Sequence, residues 1–160
     1  MKLVFKDLDF YFLTCDEKRK KHMLNEFKEF NLIEVNPILG INKFMSGVTG
    51  MSKILDLASQ KKIFKPFVIF EDDVKKFREF DKFIEVPDDI DILYIGISNH
   101  GLDENIIGKP EIVCFKNQDK NLIRVYNMLS LHGVVICSIR GLISFQKCLF
   151  EDYFKKRPYD

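Results

Sequence analysis

The chain has 160 residues, with 25 Lys and Arg against 24 Asp and Glu and a formal net charge of +1. That balance offers no global field to recruit nucleic acid or an acidic membrane surface. With 46% hydrophobic and 31% charged residues the composition is that of an ordinary soluble globule, and one domain over 1–160, burying roughly two-thirds of its unfolded surface, is expected.

The first segment, Met1 to Asp7, carries charge too early for the apolar core of a secretory leader. No apolar stretch approaches the ~18 residues needed to span a bilayer. Cys15, Cys114, Cys137 and Cys148 are widely spaced without a CxxC pair. Zinc and a disulfide framework are therefore not expected, and a reduced, cytoplasmic protein is.

In chain order, Phe10-Tyr11-Phe12-Leu13 reads as a short buried strand with Thr14-Cys15-Asp16 as its exit turn. Asp16 suits the N-cap of a helix over 17–30, where Met23, Leu24, Phe27 and Phe30 recur at helical spacing. The other face of that helix, with Lys18, Arg19, Lys20, Lys21 and Lys28, reads as solvated, and His22 as exposed with it. A second strand over 32–41 is interrupted at Pro37. Ser46-Gly47-Val48-Thr49-Gly50 follows as a glycine-marked segment, then a helix over 51–60 with Ile54, Leu55 and Ala58 as its apolar stripe.

Phe67-Val68-Ile69-Phe70 is the next strand, and it ends abruptly in Glu71-Asp72-Asp73. In an α/β sheet the carboxyl ends of strands open into the ligand crevice. Adjacent carboxylates repel unless a cation sits among them, and hard oxygen donors suit Mg²⁺ or Mn²⁺ carrying a phosphate. The alternative is a solvated acidic turn. Phe77, Phe80 and Phe83 then mark a helix ending before Pro87. Asp91 to Gly96 is a strand with Ser98-Asn99-His100-Gly101 as its exit. Residues 111–115 and 122–126 are extended pieces close enough to pair antiparallel, Gly133 to Ser138 is the last strand, and a helix covers 139–154. Cys137, inside the last apolar run, reads as a small buried hydrophobe. Alternation of strand and helix predicts an α/β fold: a mixed, mostly parallel, Rossmann-like sheet with helices on both faces.

Several motifs agree in order with a known pattern: the strand and basic helix over 10–24, Ser46-Gly47 to Ala58, Phe67 to Val74, the run Val86-Pro87-Asp88-Asp89-Ile90-Asp91-Ile92-Leu93-Tyr94-Ile95-Gly96, and Leu131 to Ile136 with Gly141. Together they resemble glycosyltransferase family 25, the group that includes lipopolysaccharide-biosynthesis and procollagen galactosyltransferases. The resemblance implies a GT-A-like fold and an inverting, metal-dependent transfer of a hexose, galactose or glucose favoured. The donor would be a nucleotide sugar, UDP-linked by preference, and the acceptor hydroxyl would belong to a glycan, a lipid-linked sugar or a protein. It implies Mn²⁺ or Mg²⁺ at Glu71, Asp72 and Asp73, with Asp73 the direct ligand and Glu71 or Asp72 assisting or facing the ribose. Thr14, Cys15 and Arg19 fall where nucleotide contacts are expected in such a sheet, Arg19 as a phosphate partner. Gly47 matches the glycine that opens the family's second motif.

The departures are specific. The family's Gly-Cys-x-x-Ser-His run falls on Gly47, Val48, Met51 and Ser52, so the histidine is absent and its task is left to Ser52 or Lys53. Relative to the family the domain is expected to be C-terminally short. The acceptor hydroxyl needs a carboxylate base, and Asp160, Asp103 and Glu104 are the candidates. His132 and His100 flank strand ends and are further candidates for metal or phosphate. Two other readings compete: a descendant that binds a nucleotide sugar without transfer, and an acidic-cluster phosphoesterase or nuclease drawing carboxylates from Asp7, Asp9 or Asp16.

Overall fold

The computed structural model describes residues 1–38, 43–96, 114–117, 122–126 and 132–155. In chain order its elements are β1 (Lys2–Val4), a 3-10 turn (Phe5–Asp7), β2 (Asp9–Leu13), α1 (Glu17–Glu26), β3 (Asn31–Val35), α2 (Lys43–Ser59) and β4 (Phe67–Glu71). There follow β5 (Phe83–Glu85), β6 (Ile92–Gly96), β7 (Cys114–Asn117), β8 (Ile123–Tyr126), β9 (Gly133–Ile136) and α3 (Ile139–Lys155).

The fold is α/β. Its main sheet has the order β3-β2-β4-β9-β6, with β2 parallel to β3 and β4, and β9 antiparallel to β4 and β6. Only β9 therefore runs against the other four: the sheet is mixed, as the alternation predicts, with two parallel and two antiparallel pairings. β1 and β5 form a separate antiparallel pair, as do β7 and β8.

Alternate residues of the central strands enter two cores. Phe10, Phe12, Val68, Phe70 and Val135 face α1 through Met23 and Phe27. Tyr11, Phe67, Ile69, Val134 and Ile136 face α2 and α3 through Met51, Ile54, Leu55, Leu142, Phe145 and Leu149. Burial on both faces is why these strands read as unbroken apolar runs rather than alternating ones. The chain leaves β2 for β3 on one side and then passes over β2 to reach β4 on the other. With right-handed crossovers, that reversal puts α1 and α2 on opposite faces.

Four expectations are corrected. α2 begins at Lys43, so Ser46 to Gly50 is helix and not a loop before Met51. Val48, Met51, Leu55 and Ala58 give one buried stripe through it, and a Cβ on Gly50 would run into the Leu13 side chain. The glycine marks close helix–strand approach, not a turn. β3 stops at Val35, ahead of Pro37. α1 ends at Glu26, where the Phe27 N–H still donates to Met23 O at 3.0 Å, and a further turn bonds Phe30 N to Phe27 O at 3.0 Å. The phenylalanine-marked helix does not form: 72–82 carries no helix or strand, and Phe83 begins β5. Phe80 packs edge-on against Phe5 and Phe30, with centroids 5.0 and 5.1 Å away, whereas Phe77 is wholly exposed. Their three-residue spacing therefore has no common face behind it. β1 went unread because its partner lies 80 residues away.

Cys137 is buried, and that burial pushes its thiol up to about 12. It is inert packing, as its sequence context suggests.

The start of α3 is docked without slack. Ser138 Oγ donates to Asp91 Oδ1 at 2.5 Å and accepts from Gly141 N at 2.9 Å, and Arg140 Nε donates to Asp91 Oδ2 at 2.7 Å. A Cβ on Gly141 would strike the Asp91 carbonyl oxygen, a backbone atom that cannot swing aside. Gly141→Ala is expected to destabilise the protein by ~1–3 kcal/mol in urea unfolding. Ile143→Ala, on the exposed side of the same helix, is expected to stay within ~0.5 kcal/mol of wild type.

Candidate functional site

The ladder fixes which residues share an edge. Leu13 lies opposite both Glu71 and Val35, and Phe70 lies opposite Gly133. Thr14, Asn36, Glu71 and His132, each at or just beyond these positions, therefore gather along one edge of the sheet. β9 delivers His132 there because it is antiparallel: its beginning meets the end of β4.

The acidic run meets two partners at this edge, His132 and Arg19. Glu71 Oε2 lies 2.5 Å from His132 Nδ1. Arg19 Nη1 donates to Asp72 Oδ1 at 2.7 Å and stands 3.6 Å from Asp73 Oδ2. The cation that the carboxylates require is supplied by the chain itself, and its hydrogen bond to Asp72 holds the Arg19 guanidinium even further above its ordinary value. Asp72 is 14% exposed and Asp73 56%, so Asp73 is the carboxylate that remains open to a ligand.

Arg19 is aimed by the turn that precedes it. Asp16 caps α1 as expected, accepting from Lys18 N at 2.7 Å and Arg19 N at 3.0 Å. Thr14, the buried polar residue of this turn, accepts from Asp16 N at 3.2 Å through Oγ1. Its hydroxyl shapes the turn and is not turned to a ligand. Cys15 beside it is exposed with a free thiol.

Residues 72–82 form a strap that leaves β4 and crosses α1. Arg19 holds it at Asp72. His22 Nε2 lies 2.7 Å from Val74 O, Glu26 Oε1 accepts from Lys76 N at 2.9 Å, and Glu29 Oε1 accepts from Lys76 Nζ at 2.7 Å. The last bond raises the Lys76 ammonium above its ordinary value. His22 is thus a part-buried strap contact, not the exposed residue expected. These grips went unread: Arg19, His22 and Glu26 share one helix face, and a polar face that meets a strap has the same sequence as one that meets water.

Between the strap and β6 lies a cleft of about 700 Å³. Phe5, Phe27 and Phe70 are among its apolar walls, Leu93 to Gly96 line it from β6, and Asp73 and His132 from the acidic edge. An apolar cleft with a few convergent polar groups is the usual form of a small-molecule site.

Other expected residues lie elsewhere. Gly47 is buried inside α2 and opens no ligand loop. Lys53 Nζ donates to Asn36 O at 3.2 Å beyond the end of β3, and β2 separates that strand from β4. Asp103, Glu104, His100 and Asp160 lie outside the described residues. Of the carboxylates a phosphoesterase would recruit, Asp9 is at the opposite end of β2, bonded to Lys61 and Asn31, Asp7 is in the 3-10 turn, and Asp16 is the helix cap.

No family model matches this chain, nor does any curated protein or any solved structure. The site is accordingly argued from its own geometry.

The donor chemistry suits a hard dication. Among the described residues no three His, Cys, Asp or Glu side chains form a ready cage. An ion such as Mg²⁺, however, commonly takes only one or two carboxylates and completes its shell with substrate phosphate and water. Asp72 and Asp73 meet that requirement, and Arg19 sits where such an ion would compete.

Asp16 generates a pH prediction. Backbone N–H bonds from Arg19 and Lys18 hold its carboxyl below the ordinary carboxylate range. Its contribution is full above the unfolded-state value and disappears as pH falls through the depressed folded value. Asp16→Asn keeps a capping oxygen without a titrating charge. Its unfolding free energy is expected to fall less than that of wild type between pH 6 and pH 3 in matched urea titrations.

Proposed function

We propose that the protein transfers a hexose, galactose or glucose favoured, from a nucleotide-sugar donor to an acceptor hydroxyl, on a GT-A-like sheet. The observation that carries this reading is the juxtaposition of the Glu71-Asp72-Asp73 run, at the end of a buried strand, with a cleft of about 700 Å³ whose mouth includes Asp73 and His132. The motif order that resembles glycosyltransferase family 25 supports it, as does an arginine among the carboxylates.

Asp73 and Asp72 would hold Mn²⁺ or Mg²⁺. When bound, the ion neutralises charge developing on the departing diphosphate. Arg19, half exposed beside them, turns its guanidinium to a phosphate oxygen, a pairing its planar fork suits. Glu71 and His132 orient one another. The aromatic cleft wall excludes water from the sugar carbon, so that a hydroxyl competes better with hydrolysis. Inversion requires a base facing the carbon from the side opposite the diphosphate, and Asp103 or Asp160 fills that role. A glycan, lipid-linked sugar or protein side chain supplies the hydroxyl. No helix among the described residues is long and apolar enough to cross a membrane, and we place the reaction in the cytoplasm, in glycan assembly of the lipopolysaccharide kind.

A second reading has its own support. Glu71 and Asp72 already have partners in His132 and Arg19, as befits a domain that binds a nucleotide sugar without transferring it. Metal-dependent hydrolysis of UDP-hexose in the absence of acceptor separates the two, since only the transferase is expected to release free hexose.

The deciding measurement is thermal stability with UDP, GDP and their sugars, with and without Mn²⁺. A ligand at 100 times its dissociation constant is expected to add about 2.7 kcal/mol. Stabilisation that requires Mn²⁺ and is lost in Asp73→Ala supports the donor site. Equal stability with every nucleotide sinks it.

A further inference from the structure

The three carboxylates differ in what holds them. Glu71 ends β4 and pairs in its ladder with Leu13, whereas Asp72 and Asp73 belong to the strap. Phe67 to Phe70 are all buried, and no residue from Glu71 to Lys82 is. Local opening is cheapest where buried apolar contact is least, which puts the strap at the weak end and β4 at the strong end of this fold. Polar grips from Arg19, His22, Glu26 and Glu29 hold the strap, together with the half-buried Val74 packed against the α1 core. Beyond them Phe80 anchors the strap among Phe5, Phe27 and Phe30. The stretch between these anchors walls the cleft, with Phe77 turned wholly outward.

We propose that residues 72–79 open and close as one unit along the cleft, with the Arg19 contact to Asp72 and Asp73 as the latch. Closure brings the two aspartates up to Glu71, and opening separates them from it while the sheet stays intact. The motion follows from burial and hydrogen bonding alone. Its consequence for donor binding rests on the function proposed above.

Trypsin reads the opening directly, because Lys75, Lys76 and Arg78 lie inside the moving stretch. When opening and closing are fast relative to cleavage, the rate follows the open population. On the full chain, Arg19→Gln is expected to speed cleavage at these three residues about two- to fivefold, the effect of losing one partly exposed ion pair. Arg19→Lys should fall between, and Asp72→Asn should match Arg19→Gln from the other side of the contact. Amide exchange across Phe67–Phe70 should keep its wild-type protection in all three. Unchanged cleavage in both Arg19→Gln and Asp72→Asn overturns the latch, as does an increase matched by equal loss of protection in β4. A parallel arm adds UDP with Mn²⁺ to wild type. Slower cleavage there supports closure on the donor. No protection by UDP counts against the donor reading, while the Arg19 and Asp72 variants still decide the latch.

Discussion

Three successive carboxylates at the end of a buried strand repel one another, and positive charge or hydrogen-bond donors close by relieve that repulsion. The Arg19–Asp72 pair is this protein's answer, and much of the local architecture follows from it. Arg19 must lie in the first turn of the helix that follows β2, because only there does it face the neighbouring strand's end. That helix must begin at once, which the Asp16 cap ensures. The turn must be rigid, which the Thr14 hydroxyl and the Thr14 N–H bond to Val35 O at 3.2 Å provide.

The sheet order makes the meeting possible. β2 and β4 are adjacent and in register, so the α1 turn and the acidic run emerge side by side. Val74 and Phe80 of the strap then pack toward the same core as Met23 and Phe27 of α1. β9 completes the edge from the other direction: its reversed polarity puts a residue that precedes the strand, His132, beside Glu71. A wholly parallel sheet would have placed the residue after the strand there instead.

Where both faces of an element are buried, its nature was legible in the residues. Phe10 to Leu13, Phe67 to Phe70 and Gly133 to Ile136 read as strands because every side chain in them has a core to enter. Legibility failed where tertiary contact gave a residue another meaning. Gly47 and Gly50 look like loop residues, yet both lie in α2, and a Cβ at Gly50 would push on the Leu13 side chain. Phe77, Phe80 and Phe83 have helical spacing, but the exposed Phe77 and the β1–β5 pairing deny them a shared face. In the site, the acidic run and His132 were readable as polar groups flanking strand ends. The grips of His22, Glu26 and Glu29 were not, because a polar stripe facing a strap and one facing water have the same sequence.

The division between Glu71 and its two neighbours bears on chemistry as well as stability. A backbone ladder positions Glu71 to within the stiffness of the sheet. Asp72 and Asp73 are positioned only as well as one half-exposed arginine and a few polar grips can hold them. For catalysis such looseness is a defect unless the ligand itself supplies the missing order, since misplacement of a reacting group by about 1 Å can lower rate a hundredfold. A diphosphate can supply that order. On the function proposed above it would offer Arg19 a new partner, and a divalent ion carried with it would stand in for the guanidinium at the two aspartates. Under that proposal the atoms that hold the acidic edge together would also organise the bound ligand, and a rigid acidic edge would forgo that exchange.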